Sequence, residues 1–514
     1  MVLALAAVAS AVGGVVALGS LPLTLIVAGA LGGALLLFVP TPWLVQGQLA
    51  LALMGAGCLM YYGKVAQAHW LPYALAAWLW LKLPLDGLLR AGTPLPRTPA
   101  SPFAWAFGAW LAVAAVASLA NLTPPLSVLV GARSHVFIWS LAFAMAAGAL
   151  DEGGLRRACL GLLAVAALQL PFAAQQHFMN IGSIGSWDTV VGTFGGDPEG
   201  GGASGAMVIY QAIALGLVVG LAKRGQLRPL AAGAIGLAIL GSVALAEVKA
   251  FFLLAPLMLL GVLAGELRAR PVQALAGLLG TAVVLGGLFA YYKQAYYDDV
   301  QRKARETSLA DYVDYVTSAD GKLDLVNRYT GEVSRLGAPL LWAQESARDG
   351  GVQQLTGYGL RASRTGGLLG AGEAARRFPF NLTTSAVTVL LWETGVLGLC
   401  VFMGLLACVA FMAHALARNA RVPPFHRAVI ETLPATVAVL AASSFYNDAV
   451  VNHYTIQVLL AFLVGHLLFW RRAVRSTDGT ASPRLLRPIR PIRHRGPGGP
   501  PHPTYAMPTT RSAA

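Results

Sequence analysis

The chain alternates long apolar runs with short polar connections, and most of the runs are long enough to cross a bilayer. A helix needs about 20 apolar residues to span the hydrocarbon core, and there it satisfies its own backbone groups. Such runs lie near 2–18, 20–39, 47–62, 68–84, 103–120, 135–150, 156–174, 203–222, 229–245, 249–265, 271–292, 394–413, 428–446 and 453–470. They predict an all-α fold, a polytopic transmembrane helix bundle of about fourteen spans. Two longer polar segments interrupt it, 175–204 and 293–393. In the second, 298–316 and 338–348 read as helix, while Gly350–Gly351 and Gly357–Gly372 read as loop. The expected organisation is N-terminal transmembrane helices over 1–174, then central helices with a short Gly-rich segment over 175–292. A large, partly helical loop over 293–393, C-terminal transmembrane helices over 394–470 and a basic tail over 471–514 complete it.

Composition agrees with this pattern. Apolar residues make up 56% of the 514 positions and charged residues only 12%, more apolar surface than a soluble core hides. The first run lacks a basic start and a clear small-residue cleavage site, and another run follows at once, so it reads as a first helix and not as a removed signal peptide. Cys58, Cys159, Cys400 and Cys408 fall in or beside apolar runs without a C-x-x-C pair. They read as packing residues, and no disulfide framework, metal site or cofactor is expected.

Charge orients the bundle. Of the net +14, the stretch from Arg471 to Ala514 supplies +8, nine Arg against Asp478. Arg90 and Arg97, Arg156 and Arg157, Lys223 with Arg224 and Arg228, Arg268 with Arg270, and Arg418 with Arg421 and Arg427 fall on the same side as that tail. Lys64, Arg133 and Lys249 are the basic residues of the short loops opposite. The positive-inside rule then puts both termini in the cytoplasm of a bacterial inner membrane and the 293–393 loop in the periplasm. Topology accounts for the positive charge, so nucleic acid is not expected as a partner. The Pro-, Arg- and Gly-rich tail is expected to be disordered and to touch anionic lipid.

Candidate chemistry gathers on the outer side. From Lys293 to Arg377 the large loop holds twelve Lys/Arg and eleven Asp/Glu, a folded, nearly neutral insertion of the kind that covers a substrate. Its end carries Arg361, Arg364, Arg376 and Arg377, whose planar forks suit phosphate or carboxylate, followed by Asn381, Thr383, Thr384 and Ser385. Solvated surface arginines are the plainer reading for most of the four. Glu247 and Lys249 stand between two apolar spans, where an ionisable pair marks a candidate site, or else a snorkelling lysine with its partner. An ammonium at Lys249 could stabilise a diphosphate leaving group. The 175–204 segment holds Trp187, Asp188 and the run Gly192-Thr193-Phe194-Gly195-Gly196-Asp197-Pro198-Glu199. Glycine there lets backbone N–H groups approach an anion or sugar, or simply builds a turn. His177 and His453 are the outward histidines able to act as a general base, with His69 and His135 nearer the membrane edge.

Three stretches, Gly192-Thr193-Phe194-Gly195, Val248-Lys249-Ala250-Phe251 and Glu393-Thr394-Gly395-Val396-Leu397-Gly398-Leu399, resemble in order and separation the O-antigen ligase and O-antigen polymerase superfamily of bacterial membrane glycosyltransferases. The resemblance covers about residues 175–400. It implies metal-independent, inverting transfer of a glycan from an undecaprenyl-diphosphate carrier to a saccharide acceptor at the periplasmic face, with Lys249 in the place of the family's diphosphate-binding arginine. Thr189 stands where the family often has arginine, and Thr384 and Ser385 stand where its ligases carry a His-Asn pair. A polysaccharide polymerase is therefore the expected activity, with Asp188, Asp197, Glu199 or His177 as the proton acceptor. Polysaccharide-assembly proteins are possible partners. The alternatives are a ligase joining glycan to lipid A-core or protein, a flippase or transporter, and an inactive scaffold. Transporters tend to show internal repeats and broken helices with midplane charges, and the sequence displays neither.

Overall fold

The computed structural model describes residues 32–89, 101–179, 189–197, 201–246, 248–272, scattered positions of 276–287, and 333, 335, 337–366 and 369–478. The described chain is helical: α1 (Thr41–Tyr61), α2 (Trp70–Leu89), α3 (Pro102–Ala120), α4 (Pro125–His135), α5 (Phe137–Ala146), α6 (Glu152–Met179), α7 (Ser204–Lys223), α8 (Pro229–Ala246), α9 (Phe251–Ala269), α10 (Gly337–Asp349), α11 (Gly351–Thr356), α12 (Ala386–Ala417), α13 (Pro424–Tyr446), α14 (Ala449–Asn452) and α15 (Tyr454–Asp478). A two-residue ladder, β1 (Gly196–Asp197) on β2 (Gly201–Gly202), is the sheet structure among the described residues. Local chemistry sets several helix starts. Pro102, Pro125 and Pro424 each occupy the first helical position, where a missing N–H costs nothing, and the Ser101 hydroxyl accepts from the Ala104 amide at 3.1 Å.

Nine described helices are long and apolar enough to cross a membrane, or ten when α4 and α5, bent by 45°, count as one span. The chain is thus built as a multi-pass membrane protein. Of the remaining expected spans, 68–84 is present as α2 but carries Lys82 and Asp86, which pair at 3.3 Å, and is not among the nine. The run 2–18 lies outside the described residues, and so do most of 20–39 and 271–292. The expected helix 298–316 is likewise outside them, whereas 338–348 is present as α10.

Two expectations need correction. The run 135–150 is not one straight helix, because Val136 (φ −125°, ψ −48°) breaks it. The span expected over 394–413 begins not at 394 but at Ala386, with Gly395 (φ 67°, ψ −170°) breaking it from within, so the polar loop ends before 386. The broken helices that the sequence does not display are therefore present.

Short connections make successive helices antiparallel, so alternate ends collect on two faces. One face, the recess face, gathers the ends of α1, α3, α6, α8 and α13, the starts of α2, α4, α7, α9, α12 and α15, and the α10–α11 segment. The opposite face carries Arg156, Arg157, Lys223, Arg224, Arg228, Arg268, Arg270, Arg418, Arg421, Arg427, Arg471, Arg472 and Arg475. At the centre, nearly all of α15 and most of α7 are buried. Around them α8 packs on α6, α5 on α15, α9 on α7 and α13, and α12 on α3 and α13. A second, smaller core of Trp342, Tyr358, Leu382, Leu391 and Trp392 fastens the loop to the first turns of α12.

A buried arginine and carboxylate recess at two helix breaks

A helix break inside a membrane exposes carbonyls that water cannot satisfy, so each must find a donor from the protein. At the α4–α5 break, the Trp110 indole N–H donates to the His135 carbonyl at 3.1 Å. Trp80 Nε1 donates to the carbonyls of Val136 and Phe137, at 3.3 and 3.1 Å, and Gln457 Nε2 donates to that of Ser134 at 2.6 Å. The α12 break is patched by loop backbone. The Tyr358 amide donates to the Trp392 carbonyl at 2.8 Å and the Gly359 amide to that of Glu393 at 3.1 Å. Only glycine fits at 395: φ is 67°, and a Cβ there would lie 2.3 Å from the Leu355 carbonyl oxygen. Asn121 Nδ2 ties the incoming loop down through the Gly357 carbonyl at 2.9 Å. With arms of about 16 and 15 Å at 1.5 Å per residue, the α4–α5 break lies roughly halfway across its span.

Charge sits at both breaks. The Glu393 side chain is fully buried and is held from three sides. His135 Nε2 stands 2.8 Å from Glu393 Oε2, the Ser363 hydroxyl donates to Oε1 at 2.8 Å, and Arg364 Nε lies 3.4 Å from Oε1. Arg364 also donates to the Ser134 hydroxyl at 3.2 Å and to the Asn452 side-chain oxygen. Asn452 in turn donates to Asp448, whose carboxyl burial raises against the pull of Asn452 and Arg364. Arg133 lies within electrostatic reach of Arg361, Arg364 and Glu393. Its guanidinium stacks 4.0 Å from the Trp70 ring centroid and 5.4 Å from that of Tyr73, and it bonds His69 Nε2 at 3.2 Å. His69 Nδ1 donates to the Ala66 carbonyl at 2.7 Å, which leaves Nε2 as the acceptor for Arg133. The Tyr73 hydroxyl meets Gln457 at 3.0 Å.

Arg361 is buried and has a left-handed backbone (φ 71°), a conformation that costs a non-glycine residue about 1 kcal/mol or more. Its guanidinium donates to the carbonyls of Gly366, at 3.0 Å, and Gly370. Burial and the like charge of Arg364 lower its pKa, while Glu393 pulls the other way. Three guanidiniums thus share this recess with the fully buried Glu393 carboxylate and with the Asp448 carboxyl behind Asn452. His453, next to Asn452, is held at about 4 by burial, with His69 adding to the effect, and its Nδ1 is buried without a hydrogen-bond partner.

The structure brings together some of the expected site residues and separates others. Arg361 and Arg364 are in the recess. Arg377 is not: it pairs with Asp349, reaches Glu373 at 3.3 Å and covers the Tyr358 ring at 5.0 Å. Arg376 and Asn381 are exposed on a groove beside the recess, and Asn381 Oδ1 accepts from the Thr383 amide at 3.0 Å. Thr384 lies 3.5 Å from the Thr388 hydroxyl, and Ser385 and Thr388 cap each other's backbone, so this pair starts α12. Lys249 is half-buried in the α8–α9 turn, among elements that pack on α6, α7 and α13 rather than with those carrying the arginines. His177 is buried in the last turn of α6 with its ring edge-on to Phe178 at 5.6 Å. Asp197 lies on β1 opposite Gly201. Asp188, Glu199 and Glu247 lie outside the described residues.

The glycine stretch serves packing. Gln169 and Gln176 hold the backbone of Val191, Gly192 and Thr193 with bonds of 2.8–2.9 Å, and Gly192 (φ 61°) has no room for a Cβ, which would meet Gln169 Oε1 at 2.0 Å. Tyr454 donates to the Phe194 carbonyl at 2.8 Å, placing this stretch against the start of α15 and so beside the recess. Sequence reasoning missed Arg133, Ser363, Asn452 and Gln457 as members of the site, and read His135 as an edge residue. The available signal was a cation and an imidazole two residues apart at the mouth of an apolar run. No family model matches the sequence, and no characterised protein matches it either.

Proposed function

We propose that this chain is an inverting membrane glycosyltransferase, most simply a surface-polysaccharide polymerase, working on an undecaprenyl-diphosphate-linked glycan and a saccharide acceptor. The observation that carries this reading is the charge imbalance of the recess, with Arg133, Arg361 and Arg364 outnumbering the two carboxyls among the described residues there, the fully buried Glu393 and Asp448 behind Asn452. Partly desolvated positive charge in excess calls for a polyanion, and a diphosphate meets guanidinium forks in bidentate fashion. In this reading the arginines take over the role expected of Lys249. The acceptor hydroxyl attacks the anomeric carbon, the carbon–oxygen bond to the diphosphate breaks, the leaving diphosphate stays among the arginines, and His453, neutral at pH 7, takes the hydroxyl proton. The basic residues of the opposite face support a cytoplasmic assignment for that face, hence a periplasmic recess, both termini inside and about fourteen spans in the inner membrane. The test is deletion of the gene followed by electrophoresis of the cell-surface polysaccharide. Shortened or absent polymer is expected, and an unchanged amount and length distribution rejects the proposal.

Two facing helix breaks, with charge at each, favour a second reading as a transporter of an anionic glycolipid or saccharide. Lipid-linked repeat units trapped on the cytoplasmic side in the deletion strain, rather than unpolymerised units on the outer side, select it.

A further inference from the structure

The turn that carries Arg361 and Arg364 has a second side. There Thr365, Arg376, Phe378, Phe380 and Asn381 line an open groove of about 450 Å³, within the range of small-ligand clefts (about 300–1,000 Å³). The groove and the recess share one piece of backbone. The Arg361 guanidinium holds the carbonyls of Gly366 and Gly370, the Gly372 amide bonds the Arg364 carbonyl at 2.7 Å, and the Ala375 amide bonds that of Ala362 at 3.0 Å. Phe378 and Phe380 form a tilted pair, centroids 5.3 Å apart, and Phe378 is braced by the edge of Trp392 at 5.8 Å. Phenyl rings beside an amide and a hydroxyl make a surface for a pyranose, whose C–H face stacks on rings while its hydroxyls take hydrogen bonds. Charge narrows the ligand further. Arg377 is occupied by Asp349 and Glu373, but among the described residues the neighbouring Arg376 makes no ion pair and no carboxylate lines the groove.

We infer that this groove binds a saccharide and prefers an acidic sugar, whose carboxylate pairs with Arg376 while its ring lies against Phe378 and Phe380. The assignment rests on the glycosyltransferase reading for its role, since a glycan held there would lead into the arginine recess, but its binding chemistry is local.

The test uses the purified full chain in lipid nanodiscs at physiological salt, with saturation-transfer NMR on two probes, tetragalacturonate and neutral maltotetraose. Tetragalacturonate is expected to bind severalfold more tightly. Arg376→Glu should abolish that preference while leaving inorganic pyrophosphate binding unchanged, and Phe380→Ala should weaken both sugars. If Phe380→Ala does not fold, Arg376→Glu alone decides. Equal binding of the two tetramers, binding of neither, or equal competition by tetra-aspartate overturns the inference. Tetragalacturonate binding without pyrophosphate binding supports the groove and rejects the diphosphate reading of the recess.

Discussion

His135 Nε2 and Glu393 Oε2 stand 2.8 Å apart, and this contact joins two helices at the places where each is broken. The two residues are 258 positions apart in sequence. Each break brings its own backbone donors, from tryptophan and glutamine at one and from the loop at the other, so the contact rests on two locally complete structures.

Removing one side of this pair should cost far more than a surface change. A buried charge left with no partner costs about 3–5 kcal/mol, and Glu393 without His135 stays below that because Arg364 and Ser363 still hold it. His135→Ala and Glu393→Gln should each lower the thermal unfolding midpoint of the detergent-solubilised protein by several degrees, and the double variant should lose less than the sum. Strict additivity would show that the contact is not an energetic unit.

Gly395→Ala should be among the most damaging substitutions in α12, since it meets both a left-handed backbone and a carbonyl oxygen 2.3 Å away. Gly404, in the same helix, has nothing within 4 Å of an added Cβ, and Gly404→Ala should be neutral or stabilise by up to about 1 kcal/mol. Expression level and unfolding midpoint of the two variants side by side make the comparison.

Polymer synthesis should follow the recess arginines and not their neighbour. Arg133→Ala, Arg361→Ala and Arg364→Ala should each reduce surface polymer about tenfold or more, and Arg364→Lys should rescue only partly because an ammonium lacks the fork. Arg377→Ala, which breaks a pairing with Asp349 and Glu373, should leave the polymer in place. Loss in Arg377→Ala with retention in Arg364→Ala would reverse the site assignment.

Acid should destabilise the fold through His453. Its pKa is lowered from the ordinary 6.5 to about 4, so the unfolded chain takes up a proton before the folded one does. Stability is therefore complete above pH 6.5, falls by up to about 1.4 kcal/mol per unit as pH drops toward 4, and loses nothing more from this group below that. His453→Gln should flatten the unfolding midpoint between pH 7 and 5 relative to wild type. An unchanged slope would assign the acid sensitivity to other groups.

The sequence made the apolar runs plain, and with them the helices, because hydrocarbon demands length and self-satisfied backbone. It did not reveal the breaks. The run 135–150 has no proline at Val136 and reads as continuous, and Gly395 is one of several glycines in an apolar stretch. Arg361 and Arg364 were legible as forks at a loop end. Arg133 resembled an ordinary loop cation, since nothing local tells that Trp70, Tyr73 and His69 close around it. The Ser385 and Thr388 cap was available as a pattern, yet Ser385 reads in the sequence, with Thr384, as the place of a missing His-Asn pair and not as the start of a helix.

The loop residues that patch α12 also bear on how the protein is made. Tyr358 and Gly359 leave the ribosome before Trp392 and Glu393, so the donors exist before the carbonyls that need them. Until that short stretch docks, the first arm of α12 cannot settle in lipid without bare backbone. Biogenesis of the last three long helices is thereby coupled to folding of the segment ahead of them. A lesion in the loop should appear first as a failure of membrane integration and only afterwards as a loss of activity.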